Sequence, residues 1–145
     1  MSGRGLRNAI GSIFVATVLL AACGDPISDK YVIEDDPATL EDVAGSELKK
    51  VTLTEQANQR LGIETDKVSV SGDNLVVPSG ALWLDVQGVF WVYMNPEPNV
   101  FLRHPVTVVD DDGARAVLSS GPPDGTTIVT VGVPELFGAE VGVGK

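Results

Sequence analysis

From Val51 onward the chain is cut into short β-prone runs by clusters of Gly, Pro, Asp and Asn, and this punctuation limits its fold more than any other feature. Residues 68–71 alternate polar and apolar; Leu75-Val76-Val77 is closed by Pro78; residues 88–94 (GVFWVYM) end at Asn95-Pro96-Glu97-Pro98. Residues 100–109, 114–118 and 126–131 follow, separated by Asp110-Asp111-Asp112-Gly113 and by residues 121–125 (GPPDG). Runs of this length bounded by turn residues are strand-sized. One helix is expected before them. Thr54 is placed to cap it, Glu55 sits in the favourable first turn and Gly62 lies just past its end, while Leu53, Ala57 and Leu61 recur every fourth residue. A late turn of helix is expected around Pro134-Glu135-Leu136-Phe137, stopped by Gly138. The pattern predicts a mainly β fold, a small antiparallel β-roll or barrel with one short helix packed on it.

The N-terminal segment follows another logic. Arg4 and Arg7 precede an apolar run over residues 9–22 interrupted only by Gly11, Ser12 and Thr17. A basic head, a short apolar run and small residues at the exit describe a secretory signal peptide, and the run is short of the ~20 residues a membrane-spanning helix needs. The exit, Leu20-Ala21-Ala22-Cys23-Gly24, resembles a bacterial lipobox, which implies cleavage before Cys23 and a diacylglycerol on its sulfur. Cys23 is the one cysteine of the chain and stands at the one position where lipidation needs it. Each buried methylene contributes ~0.8 kcal/mol, so two or three acyl chains hold firmly where one exchanges.

Between residues 25 and 47 eight acids accompany a single base, Lys30, and Pro26 and Pro37 interrupt any period. The stretch reads as a solvated acidic tether. Residues 24–50 would reach ~90 Å fully extended and nearer ~30 Å as a relaxed coil. A cation-binding arm is the competing reading, but the carboxylates lack the glycine-containing spacing of a calcium loop. The expected organisation is a lipoprotein signal peptide over 1–22, lipidated Cys23 with an acidic linker over 23–50, and a β-domain over 51–145.

Charge and composition remove several function classes. The formal charge is −10, and loss of the leader removes two further positive charges. Such a chain lacks the clustered cations that bind nucleic-acid phosphates or anionic lipid. With one cysteine and one histidine, a disulfide framework, a multi-Cys zinc site or a His-based site has little to build on. No Gly-x-Ser-x-Gly elbow or His-Glu-x-x-His helix occurs. Residues 110–113 invite a metal-loop reading, yet contiguous carboxylates point in different directions and Asp-Gly marks a hairpin turn. Residues 121–125 lack the Lys-Ser/Thr ending of a phosphate loop and precede a strand. His104 shares the register of Leu102 and Val106 and is expected inside as a packing residue, while Pro105 places its strand at an edge or bulge. Trp83, Phe90, Trp91, Tyr93 and Phe101 are expected to serve as core before they serve as a ligand groove. The expectation is a protein with no catalytic, metal-binding or cofactor-binding residues.

An ordered series of segments carries a resemblance. Residues 77–82 (VPSGAL), residues 88–93 (GVFWVY) and residues 101–108 (FLRHPVTV) occur in that order, followed by residues 121–125 leading into Ile128-Val129-Thr130-Val131-Gly132. Upstream lie residues 53–57 (LTEQA) and 60–65 (RLGIET). The series resembles the membrane-proximal domain of periplasmic adaptor subunits (membrane fusion proteins) of RND-type efflux pumps, over roughly residues 51–144. Full adaptors insert a lipoyl-like domain, a long helical hairpin and a further barrel between the first segment and the Val-Pro segment. Here only a short stretch separates Ile63 from Val77, so the likeness covers the membrane-proximal module alone. The resemblance implies a lipid-anchored, non-catalytic accessory protein on the extracytoplasmic face of the cell membrane. It would dock on a transporter permease through strand edges and loops. A surface lipoprotein that binds a small ligand or metal ion is the alternative, motivated by the negative charge and the aromatic cluster.

Overall fold

The computed structural model describes residues 36–142; the leader and Cys23 lie outside the described residues. Ten antiparallel strands form a half-barrel sheet with two short helices. In chain order these are β1 (Ala38–Asp42), β2 (Lys49–Leu53), α1 (Glu55–Leu61), β3 (Glu64–Lys67), β4 (Ser69–Ser71) and β5 (Asn74–Pro78). A 3₁₀ turn (Ser79–Ala81) leads to β6 (Trp83–Leu84), β7 (Phe90–Glu97), β8 (Val100–Asp111), β9 (Arg115–Ser120), β10 (Thr127–Val131) and α2 (Val133–Val141). The main path runs β3-β10-β7-β8-β9-β5-β4, with β1 on β2, β2 on β8 and β6 on β7. The mainly β expectation holds, with one more helix of substance than the sequence suggested.

Two cores form, one on each face of the sheet. The first gathers Ala38, Val51, Leu53, Ala57, Tyr93, Phe101, Val129, Val133 and Leu136; the second gathers Val68, Val77, Ala81, Val92, Val106, Ala116, Leu118 and Ile128. Neighbours in sequence thus part company: Val92 enters one core and Tyr93 the other, and Ile128 and Val129 divide likewise. Successive side chains of a strand point to opposite faces, so a strand with both faces covered must be apolar throughout. This is why residues 88–94 form a continuous apolar run rather than an alternating one.

The segment read as a tether is the main correction. Residues 24–50 do not all lie outside the fold: β1 and β2 pair from Ala38↔Leu53 to Asp42↔Lys49, and Ala38 and Leu40 pack on the first core. Ion pairs Lys49–Asp42 and Lys50–Glu41 run across the hairpin. Acids that look unpartnered along the chain therefore have cations opposite them in the sheet, each exposed pair contributing ~0–1 kcal/mol. The fold therefore includes residues 38–50 as well as those from 51 onward.

The expected helix forms. Thr54 accepts a hydrogen bond from the Ala57 amide at 3.1 Å, and Gly62 ends the helix in the left-handed conformation. Asn99, itself at a positive φ of 62°, ties this helix to the β7–β8 turn. Its amide donates to Glu55 at 2.9 Å, its side-chain oxygen accepts from Asn58 at 2.7 Å, and its carbonyl accepts from the Leu53 amide. At the other end of the sheet, Gly132 caps α2 at φ +88°, and a Cβ there would lie 2.3 Å from Ile63 Cδ1. Only glycine permits both the backbone turn and that close approach.

Two smaller expectations are revised. The late helix passes through Gly138 and stops at Gly142, which adopts φ +77°. A glycine inside a helix costs roughly 1 kcal/mol, a penalty that burial of Val133 and Leu136 offsets. Pro105, expected at an edge or bulge, lies in a strand flanked on both sides but at a locally unpaired stretch, just before the register shift between Thr107 and Val108. β8 has β7 along one side, while its other side is shared between β2 at Val100–Phe101 and β9 from Thr107 onward. Pro105 occupies the gap between those two partners, where a missing N–H breaks no pairing on that side.

Candidate functional site

Glu140 is the buried charged residue of the described chain, 4 % exposed on the inner face of α2. Three groups converge on it. The Tyr93 hydroxyl donates to Oε2 at 2.6 Å, Arg103 Nε lies 2.7 Å from the same oxygen, and the Lys49 backbone amide donates weakly to Oε1 at 3.4 Å. The Arg103 contact is an ion pair without the alignment of a hydrogen bond, since Nε has no hydrogen-bond partner. Its guanidinium also lies over two rings, 4.9 Å from the centre of Trp91 and 5.4 Å from that of Phe137. One carboxylate thereby joins α2 to β2, β7 and β8.

Burial pushes the Tyr93 phenol well above its ordinary value of 10, and the hydrogen bond to Glu140 adds to the rise by holding the proton. The consequence for stability has a definite sign. Below about pH 10 the phenol is neutral in both folded and unfolded chains; above it the unfolded chain loses a proton the folded chain keeps, so stability falls. Tm is expected to hold up to about pH 10 and to drop steeply beyond. Tyr93→Phe should start lower and fall less over the alkaline range, as read by thermal unfolding against pH.

A second polar constellation shapes the β6–β7 hairpin. The Asp85 carboxylate accepts from the Gln87 amide at 2.9 Å, the Val89 amide at 2.8 Å and the Trp91 indole Nε1 at 2.8 Å. The indole first, and the Val89 amide second, hold its carboxyl below the ordinary carboxylate value.

The residues singled out in the sequence are dispersed. Tyr93 and Phe101 are buried in the first core, Trp83 stacks on Phe137 with ring centres 4.8 Å apart, and Phe90 packs on the second core. Trp91 takes up Arg103 and Asp85, so the five rings line no common groove. His104 is half-buried opposite Val92, with Nδ1 2.8 Å from the Pro105 carbonyl oxygen. Residues 110–113 make the β8–β9 turn: Asp112 accepts from the Ala114 and Arg115 amides, and Asp111 from the Gly113 amide and the Ser79 hydroxyl. Residues 121–125 lead into β10, where the Gly125 amide and Thr126 carbonyl both pair with Val68.

A shallow cleft of about 60 Å³ lies between Asp66, Lys67, Ser69, Pro78 and Arg115. Among the described residues no group of three or more His, Cys, Asp or Glu side chains is placed to hold a metal ion, and no helix is long and apolar enough to cross a membrane. The Glu140 network escaped sequence reading because its members are far apart in the chain. The available signal was a lone Glu on the apolar face of a C-terminal helix.

No family model matches the chain, and neither the curated proteins nor the solved structures give a match.

Proposed function

We propose that this protein is a lipid-anchored, non-catalytic accessory subunit of an extracytoplasmic efflux or export transporter, built on the membrane-proximal module that its sequence resembles in RND-type adaptors. One observation supports the reading. Parts of the two stretches that adaptors keep far apart in the chain here meet in the first of the two cores, with Leu53, Ala57, Leu61 and Ile63 packed together with Tyr93, Phe101 and Val129. A fused module of this kind can present loops and strand edges to a permease; among the described residues there is no long helical hairpin.

Cys23 is the anchor in this reading. Cys23→Ser is expected to move the protein from the membrane fraction to the soluble fraction, because thioether attachment of the acyl chains is lost. Affinity purification of the tagged, lipidated chain from mild detergent should recover a permease, and recovery of no membrane complex would count against the docking role. The same material tests the alternative of ligand or ion capture: a Tm that rises with added divalent ions would favour it, by mass action on the folded state.

A further inference from the structure

We propose that the tip of the β6–β7 hairpin is a bilayer-contacting element that rests in the interfacial region of the membrane carrying the lipid anchor; this rests on the lipid-anchored reading above. Three apolar side chains stand out from the tip: Val86 is 96 % exposed, Leu84 52 % and Val89 39 %. Among the described residues Val86 is left almost wholly uncovered, although a few residues on, at Val92 and Tyr93, the chain is fully buried.

The backbone of the tip is prepared for a water-poor setting. The amides of Asp85, Gln87, Gly88 and Val89 all donate within the hairpin, to the Val89 carbonyl, the Asp85 carboxylate, the Asp85 carbonyl and the Asp85 carboxylate respectively. Apolar surroundings penalise unpaired backbone donors, so a loop that pairs four of its five amides internally, all but that of Val86, and turns its apolar side chains outward suits the interfacial region, where headgroups and water can take up the fifth. The Asp85 charge is folded back on the turn, which keeps the contact at headgroup depth and out of the hydrocarbon. Trp83 and Trp91 face each other across the base of the hairpin, and indoles favour that same depth.

Geometry and charge select a bilayer of low charge as the occupant. The described chain enters beside Thr54, whose amide donates to the Pro37 carbonyl, near the β7–β8 turn; the hairpin tip lies at the opposite end of β7. Eight residues of strand separate the two ends by about 23 Å, at ~3.3 Å per residue. Residues 24–36 fully extended reach about 40 Å, which is long enough for an anchor at Cys23 to let the domain lay its far end on the membrane. With a formal charge of −10 the chain is repelled by anionic headgroups, so the contact relies on the apolar tip and prefers zwitterionic lipid.

The two tryptophans of the chain both sit at the base of this hairpin, so intrinsic fluorescence reports on it directly. The lipidated full-length chain is reconstituted into phosphatidylcholine vesicles, with and without lipids brominated near the headgroup end of their acyl chains, and its attachment is checked by flotation. Brominated lipid is expected to quench the indole emission at least twofold. Val86→Asp should float equally well and lose that quenching, whereas Val109→Asp, at an exposed valine elsewhere, should keep it. A chain that floats with unquenched indoles overturns the hairpin contact and leaves the anchor standing. A chain that does not float removes both readings. Unquenched indoles in a dimer that Val86→Asp dissociates would assign the tip to a second copy, and unquenched indoles that become shielded when a permease co-purifies would assign it to protein; either overturns the lipid contact.

Discussion

Glu140→Ala is expected to lower the stability of the folded domain by about 3–5 kcal/mol, the range for breaking a buried ion pair from one side. The loss has three parts. The Arg103 guanidinium, with a side chain 14 % exposed, keeps its desolvation cost without its counter-ion, the Tyr93 hydroxyl loses its acceptor, and the removed side chain leaves a gap under α2. Against a total of roughly 5–15 kcal/mol for a domain of this size, that is a large fraction. Urea unfolding followed by tryptophan fluorescence measures it, since Trp91 lies under Arg103. The paired variant Glu140→Leu with Arg103→Met is expected to recover most of the loss, because no uncompensated charge remains buried. If the double variant is as unstable as the single one, the hydrogen bonds from Tyr93 and Lys49 rather than the ion pair hold α2 down.

Phe101→Ala is expected to cost about 3–5 kcal/mol, as large-to-small changes of buried aromatic residues do. Phe101 is 1 % exposed and pairs with Val51, so its ring lies where β2 joins β8. Two strands depend on that joint, because β1 reaches the sheet only through β2. Beyond the global loss, amide exchange should accelerate most across residues 38–53, the two strands joined to the sheet through this pairing. Uniform acceleration over β7, β9 and β10 instead would mean that the β1–β2 hairpin is no more weakly held than the rest.

Local chemistry made much of this fold legible in the sequence. Thr54 and Gly62 bound a helix because capping acts within three or four residues, and Asp112-Gly113 turns the chain where the Asp-Gly signal stands. What stayed hidden depends on partners distant in sequence. Residues 38–50 read as tether because acids and lysines look solvated in one dimension; only the register that sets Asp42 opposite Lys49 and Glu41 opposite Lys50 converts them into a paired hairpin. Gly138 read as a stop because helix propensity ignores what α2 buries on either side of it. Glu140, Arg103 and Tyr93 carry no spacing signal at all, being brought together by two strands and a helix. Of the residues proposed to meet the membrane, Leu84, Val86 and Val89 were visible only as letters beside a tryptophan. Their exposure follows from a turn whose interior is filled by Asp85.

The partition of Val92 and Tyr93 between two cores restricts how this domain can change. β7 acts as a wall with a room on each side, one of them apolar around Val92, the other holding a carboxylate ready for a phenol. Deleting or adding one residue in the wall would swap the occupants of both rooms at once, stranding a hydroxyl among methyl groups and leaving Glu140 facing a valine. Length changes in this protein must therefore be confined to its turns or come two residues at a time.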